Sequence, residues 1–257
     1  MKAIFPVAGY IFRQSFRNRM LNVLIIFAVI AIGFSFFISE LAQETEMKMV
    51  KDFGLFAIEI FAFLTLMLSV TIQLFEETEL KTLSLVIVKP VKRYEFLIGK
   101  YLGITATVGL NVLLMLAALM AIIWVKGGEP WDPYIVLPVF YSFLGIAVLS
   151  STALLLTMIT TSVPSCVLSL FFIYILGHLS IHLKSIAEDT GGRMFIIAAN
   201  AVYYIFPNLE FFNLKDRVYS GDGGLSPEYF GITAAYGIFY TALTLLAASV
   251  IFNRKEF

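Results

Sequence analysis

Two histidines, His178 and His182, are the only ones in the chain and stand four residues apart. On a helix that spacing sets two imidazoles on one face, where both could reach one metal ion. A metal site needs at least a third ligand, and only Glu188 and Asp189 stand near in sequence. The pair therefore reads as interfacial histidines and stays a weak metal candidate. Met47 and Met49 could serve a soft metal, but read more simply as loop residues. Glu59 interrupts an apolar run. An ionisable group in hydrocarbon is costly, so Glu59 is a candidate for a translocation path, or a hydrogen-bonding partner for another span. Asn111 interrupts another run and is the second path candidate, though glue between helices fits it better. No phosphate-cradling glycine loop, dinucleotide fingerprint or Ser/His/Asp arrangement is present. Chemistry on a substrate is not expected of this chain, and no cofactor is expected on it.

The elements that must position these residues are apolar. Of 257 residues 60% are hydrophobic, 14% are charged, and Phe contributes 25. Mean hydropathy is +0.89. A soluble domain carries about 25% charged residues. Several runs are long enough to cross a hydrocarbon core about 30 Å thick. The fold class is an all-α polytopic membrane protein, and the alternating strands of an outer-membrane barrel are absent from the pattern. One cysteine, Cys166, excludes an intrachain disulfide and a cysteine-based cluster. The first apolar run follows Arg13, Arg17 and Arg19 with no small-residue cleavage site, so a cleavable signal peptide is not expected.

Six spans are predicted, at 21–38, 53–74, 96–125, 134–158, 167–183 and 230–252. Residues 1–19 read as an amphipathic helix lying in the interface, or as a basic lead-in to the first span. Residues 39–52 read as an acidic loop. Gly127 and Gly128 mark a turn, and Ser162 or Ser165 is available to cap the fifth span. Between the fifth and sixth spans lies a region, 184–229, expected on the extracytoplasmic side. Its apolar run 194–206 is too short to cross and suits a re-entrant or interfacial segment. Tyr203, Tyr204, Tyr219 and Tyr229 suit an aromatic belt. Gly99 and Gly103 form a small-xxx-small pair, a weak sign of a dimer seam. The chain is one membrane domain, 1–257.

Six spans put both termini on one side. With the termini inside, eleven Lys and Arg face inward and seven outward, while carboxylates divide five to twelve. That bias predicts cytoplasmic termini in the inner membrane. The stretch 76–100 is then cytoplasmic. It runs from Glu76, Glu77 and Glu79 through Lys81, Thr82 and Leu83 to Pro90, which breaks any helix there. Arg93, Phe96 and Lys100 turn it into the third span. A short element held between two spans is a lever, and a partner that pushes it moves both.

The order of residues in that stretch resembles the ABC-2 type permeases. Their motif between the second and third spans is matched by Glu76, Glu77, Thr82, Leu83, Val86, Pro90, Val91, Arg93, Phe96, Gly99 and Lys100. Lys81 stands where the family usually has glycine. Residues 207–215, beginning Pro207-Asn208-Leu209-Glu210, resemble a segment of the subgroup that includes the nitrous-oxide-reductase accessory permeases. The resemblance implies a transport subunit with 76–96 as its coupling element. It implies a separate ABC ATP-binding subunit that carries ATP and Mg, and a second permease chain, a homodimer ahead of a heterodimer. A periplasmic partner and membrane lipids complete the partners expected; nucleic acid is not among them. The rival expectation is a membrane anchor or assembly scaffold that moves no substrate.

Overall fold

A run of about 20 apolar residues satisfies its backbone in lipid only as a helix or a closed barrel. The computed structural model describes residues 4–40, 46–79, 92–129, 131–160, 162–190, 192–214 and 227–254. Among them there is no strand. In chain order the helices are α1 (Ile4–Arg17), α2 (Arg19–Glu40), α3 (Glu46–Glu79), α4 (Arg93–Val125), α5 (Pro133–Ile159), α6 (Val163–Thr190), α7 (Arg193–Ile205) and α8 (Pro227–Arg254). A 3₁₀ turn, Leu209–Phe212, separates α7 from α8. Six helices, α2 to α6 and α8, are long and apolar enough to cross a membrane.

The helix ends follow local chemistry. Asn18 ends α1 and caps α2, its side chain accepting the Met20 N–H at 2.9 Å. α4 stops at a Schellman motif. The Gly127 N–H donates to Trp124 O and the Gly128 N–H to Ile123 O. Gly127 sits at φ +78°, where a side chain would strain the turn. Asp132 caps α5 by accepting the Tyr134 N–H, with Pro133 in the first turn. Ser162 stands directly before α6 and its carbonyl accepts the Cys166 N–H, whereas Ser165 lies inside the helix.

Residues 46–52 are helical rather than the loop expected. Glu, Met and Lys are good helix formers, and Val50 is fully buried, so packing extends α3 beyond its apolar run. Met47 and Met49 are accordingly on its first turn. Met47 reaches Gly128, closer than a Cβ there would allow.

α3, α4 and α5 form the centre. In α5, 67% of the apolar stretch is buried, against 22% in each of α2, α6 and α8. α2 packs on α3 and α4, α6 on α3 and α5, and α8 on α5 and α4. The outer helices turn large apolar side chains outward, such as Phe27, Phe34, Phe172 and Ile238. Polar cross-links between spans are few. Thr244 Oγ1 donates to Ser151 Oγ at 2.7 Å, and Asn111 Nδ2 donates to Thr65 Oγ1.

α1 lies along α4 and also touches α2. It seats on Gly99 and Gly103. A Cβ on Gly99 would stand 2.8 Å from Val7 Cβ, and one on Gly103 would stand 2.6 Å from Ile11 Cβ. The small-xxx-small pair therefore receives α1 of the same chain, which corrects its reading as a dimer seam.

Candidate functional site

Two places gather chemistry, one at each end of the bundle. The first is the start of α4. The Arg93 guanidinium donates to Phe252 O at 2.7 Å and to Asn253 O at 3.3 Å. A cation there meets the last-turn carbonyls and the negative end of the α8 dipole. Arg93 also lies over the Phe252 ring, 5.5 Å from its centroid. Phe96 stacks on the same ring at 6.3 Å, and Lys100 Nζ lies 5.2 Å from the Phe96 centroid. Leu97, Met158, Ala248 and Phe252 close a small apolar cluster beneath them. Lys100 and Glu95 are both buried. With α1 on Gly99 and Gly103, both ends of the described chain meet the start of α4.

Of the predicted coupling residues, Arg93, Phe96 and Lys100 are thus turned into the bundle. Glu76, Glu77 and Glu79 close the last turns of α3. Their side chains, and Lys81, Thr82, Leu83 and Pro90 entirely, lie outside the described residues, as does all of 80–91.

The second place is the turn after α7. α7 folds back along α6, with Lys184 Nζ 4.5 Å from the Tyr203 ring centroid. The chain then turns at Pro207 and wedges Leu209 and Phe212 among α5, α6 and α8. Glycines make the room. A Cβ on Gly177 of α6 would stand 2.7 Å from Leu209 Cγ and 2.8 Å from Pro207 O. One on Gly145 of α5 would stand 3.2 Å from Phe212 Cβ, and one on Gly237 of α8 3.1 Å from Phe212 Cζ. Irregular backbone inside a bundle needs hydrogen-bond partners, and tyrosines of α8 supply them. Tyr236 OH accepts the Asn208 N–H at 2.9 Å, Tyr240 OH donates to Ile205 O at 3.2 Å, and Tyr229 OH donates to Phe211 O at 2.8 Å.

Beside this seat stands His178. Its Nε2 is 3.2 Å from Glu59 Oε1 on α3. Its Nδ1 is 3.4 Å from Glu210 Oε2 on the turn. Tyr174 OH donates to Glu59 Oε1 at 3.5 Å, and its ring stacks on Phe63 at 4.0 Å. Asn213 Nδ2 donates to Glu210 Oε1 at 3.0 Å, and the Glu210 N–H to Asn208 Oδ1 at 3.1 Å. Burial pushes the Glu210 carboxyl up. The hydrogen bonds from His178 and Asn213 and the charges of His178 and His182 outweigh it and hold the group below the usual carboxylate value. Ser142, Gly145 and Leu149 complete a narrow cleft against these groups.

The structure therefore gives Glu59 and His178 a shared contact that the sequence did not reveal. Among the described residues no three His, Cys, Asp or Glu side chains group as a metal site. Glu59 and Glu210 approach different nitrogens of one ring, and Glu188 is exposed. The two path candidates are not brought together. Glu59 faces α6, while Asn111 meets α3 at Thr65, six residues on and on another side of the helix. Tyr174 was missed, and Asn208, Glu210 and Asn213 were singled out only through the resemblance of 207–215, with no role given to them. A signal existed for the seat: Tyr229, Tyr236 and Tyr240 fall at i, i+7 and i+11, one face of a helix.

A family model described as ABC-2 family transporter protein matches residues 45–246. The chain belongs to the ABC-2 transporter family. The match runs from the start of α3 into α8, so it takes in the triad, the turn and the segment 80–91, and leaves out α1 and α2. No curated protein matches the chain. This ABC-2 permease is a multi-pass membrane protein and a transport subunit, not itself catalytic, of a family that normally partners with an ATP-binding subunit.

Proposed function

We propose that this permease couples ATP hydrolysis on a separate ATP-binding chain, which carries ATP and Mg, to export or mechanical work across the inner membrane. The segment 76–100 receives that chain on the cytoplasmic side, where both termini lie. Two permease copies pair, and a periplasmic protein joins from outside. The run 194–206 is a re-entrant or interfacial segment that helps seal or shape the outer mouth.

One observation carries the reading. α3 and α4, at 34 and 33 residues, both run into 80–91. Each is about 50 Å long, well beyond a hydrocarbon core of about 30 Å. The start of α4 also holds α1 through Gly99 and Gly103, and the end of α8 through Arg93. A push on 80–91 is thus delivered to α1, α3, α4 and α8 together.

The test is to co-purify the permease with its ATP-binding partner and measure complex formation and ATP hydrolysis. Leu83→Asp and Pro90→Ala are expected to weaken both. Unchanged assembly and turnover in these variants refutes the docking role and leaves the anchor or scaffold reading in its place. Arg93 is unsuitable for this test because its loss also frees the end of α8.

A further inference from the structure

The coupling route does not use Glu59, His178 or Glu210. They come from α3, α6 and the turn, and meet only in the fold. A neutral imidazole has one N–H. It donates to one acceptor and turns a lone pair toward whatever faces its other nitrogen. His178 has a carboxylate oxygen at both nitrogens, at 3.2 and 3.4 Å. Both contacts become attractive only with an added proton. It resides on the ring, giving two N–H donors, or on one of the two carboxyl groups.

We propose that Glu59, His178 and Glu210 form a proton-binding latch that holds the Leu209–Phe212 turn in its seat among α5, α6 and α8, and that emptying or overfilling the latch releases the turn. With the added proton on the ring, the trio keeps one net negative charge and both ring contacts attractive. Removing that proton leaves one contact repulsive. Adding another, on Glu210, removes the charge that the turn presents to α6.

The surroundings favour this role over a substrate contact. The cleft beside the triad has room for about one water, too little for a transported molecule. Tyr174 fixes Glu59 from α6, and Asn213 fixes Glu210 within the turn region. His182 adds its charge toward Glu210 from the same helix. α5 contains no Asp, Glu, Lys, Arg or His, and presents Ser142. On α7, Tyr203 and Tyr204 face Lys184, Tyr203 also acts on Tyr236, and Arg193 is exposed. On α8, the hydroxyls of Tyr229, Tyr236 and Tyr240 are taken by the backbone of 205–211.

The sign for Glu210 follows from its carboxyl being held low in the seated state. Its contribution to seating is complete above the ordinary carboxylate value, about 4.3 for glutamate. It is lost as pH falls through the lower, seated value.

The experiment is hydrogen exchange of the full chain in lipid nanodiscs, following peptide 205–214 from about pH 2 to about pH 9, with rates corrected for intrinsic chemistry. The expected profile has maximal protection at intermediate pH and exchange about tenfold faster on either side. His178→Gln and Glu210→Gln are each expected to flatten that profile. Tyr236→Phe removes a neutral hydrogen bond from the same turn, so it is expected to speed exchange equally at every pH and keep the profile's shape. A flat profile in the unaltered protein overturns the latch, and so does a His178→Gln profile that follows it. Peptides of α5 in the same samples report whether the bundle is intact. Where His178→Gln loosens them too, the near-isosteric Glu210→Gln decides the outcome by the same criterion.

Discussion

The Arg93 guanidinium, at the first residue of α4, is 2.7 Å from the carbonyl oxygen of Phe252, near the last turn of α8. The two residues are 159 apart in sequence, so the contact closes the bundle rather than a local turn. A hydrogen bond from a charged donor contributes roughly 1.5–3 kcal/mol. Arg93→Ala is expected to lower the thermal midpoint of the purified protein by a few degrees. Arg93→Lys should recover only part of the loss. A lysine reaches as a point charge, without the planar fork that serves both Phe252 O and Asn253 O. Melting curves of the two variants in one detergent check this. A lysine variant equal to the unaltered protein would show that charge alone suffices.

Gly177 has no room for a methyl group. A Cβ there would meet a leucine side chain and a carbonyl oxygen, at 2.7 and 2.8 Å. Gly177→Ala is therefore expected to destabilise by about 1–3 kcal/mol, the usual cost of overpacking. Gly231, near the start of α8, has nothing within 4 Å of its would-be Cβ. There the better helix propensity of alanine should leave stability unchanged, or raised by up to about 1 kcal/mol. Chemical denaturation of the pair measures the contrast. Equal behaviour of the two variants would mean that Leu209 does not seat against Gly177.

The six spans were legible because each needs about 20 apolar residues, and nothing else in the chain supplies such a run. Their ends were less so. Glu46–Asp52 is helical through propensity and packing, and Val163–Cys166 as a first turn that accepts Pro164 and buries Cys166, which an apolar window does not register. The spacing of Gly99 and Gly103 announced close approach but not the partner, and α1 fills the groove. The seat of Phe212 draws on Gly145 and Gly237, which lie 92 residues apart. No local pattern joins them. His178 was read with His182 because they share a helix face, yet its ring nitrogens face other elements, at Glu59 and Glu210.

Asp132 ties the start of α5 to α3 through Lys51, with Lys51 Nζ 2.6 Å from Asp132 Oδ2. Burial pushes its carboxyl up. The Lys51 hydrogen bond and charge, with the Tyr134 N–H, outweigh that and hold it below the usual carboxylate value. A carboxyl held low stabilises the fold above its unfolded value, about 3.9, and that contribution fades as pH falls through the lower, folded value. Asp132→Asn keeps a good helix cap and loses the ion pair. The variant is expected to be less stable than the unaltered protein at neutral pH and to converge with it as pH falls through the lower, folded value. Thermal scans at a series of pH values check this; a gap that persists in acid would assign the loss to the cap.

Asn111 separates a structural contact from a transport path. Its Nδ2 donates to Thr65, its Oδ1 has no hydrogen-bond partner, and the residue is buried. Polar contacts between spans contribute only about 0.6 kcal/mol on average. Asn111→Leu adds apolar volume similar to what it removes and silences both polar atoms at once. As glue alone, the substitution should change stability by less than about 1 kcal/mol and leave partner-stimulated ATP hydrolysis intact. As part of a path, it should leave the melting curve in place and cut coupled turnover severalfold. The geometry favours the first outcome, since Asn111 faces α3 inside the bundle and not the cleft at Glu59. Paired melting and ATPase measurements on the one variant decide between them.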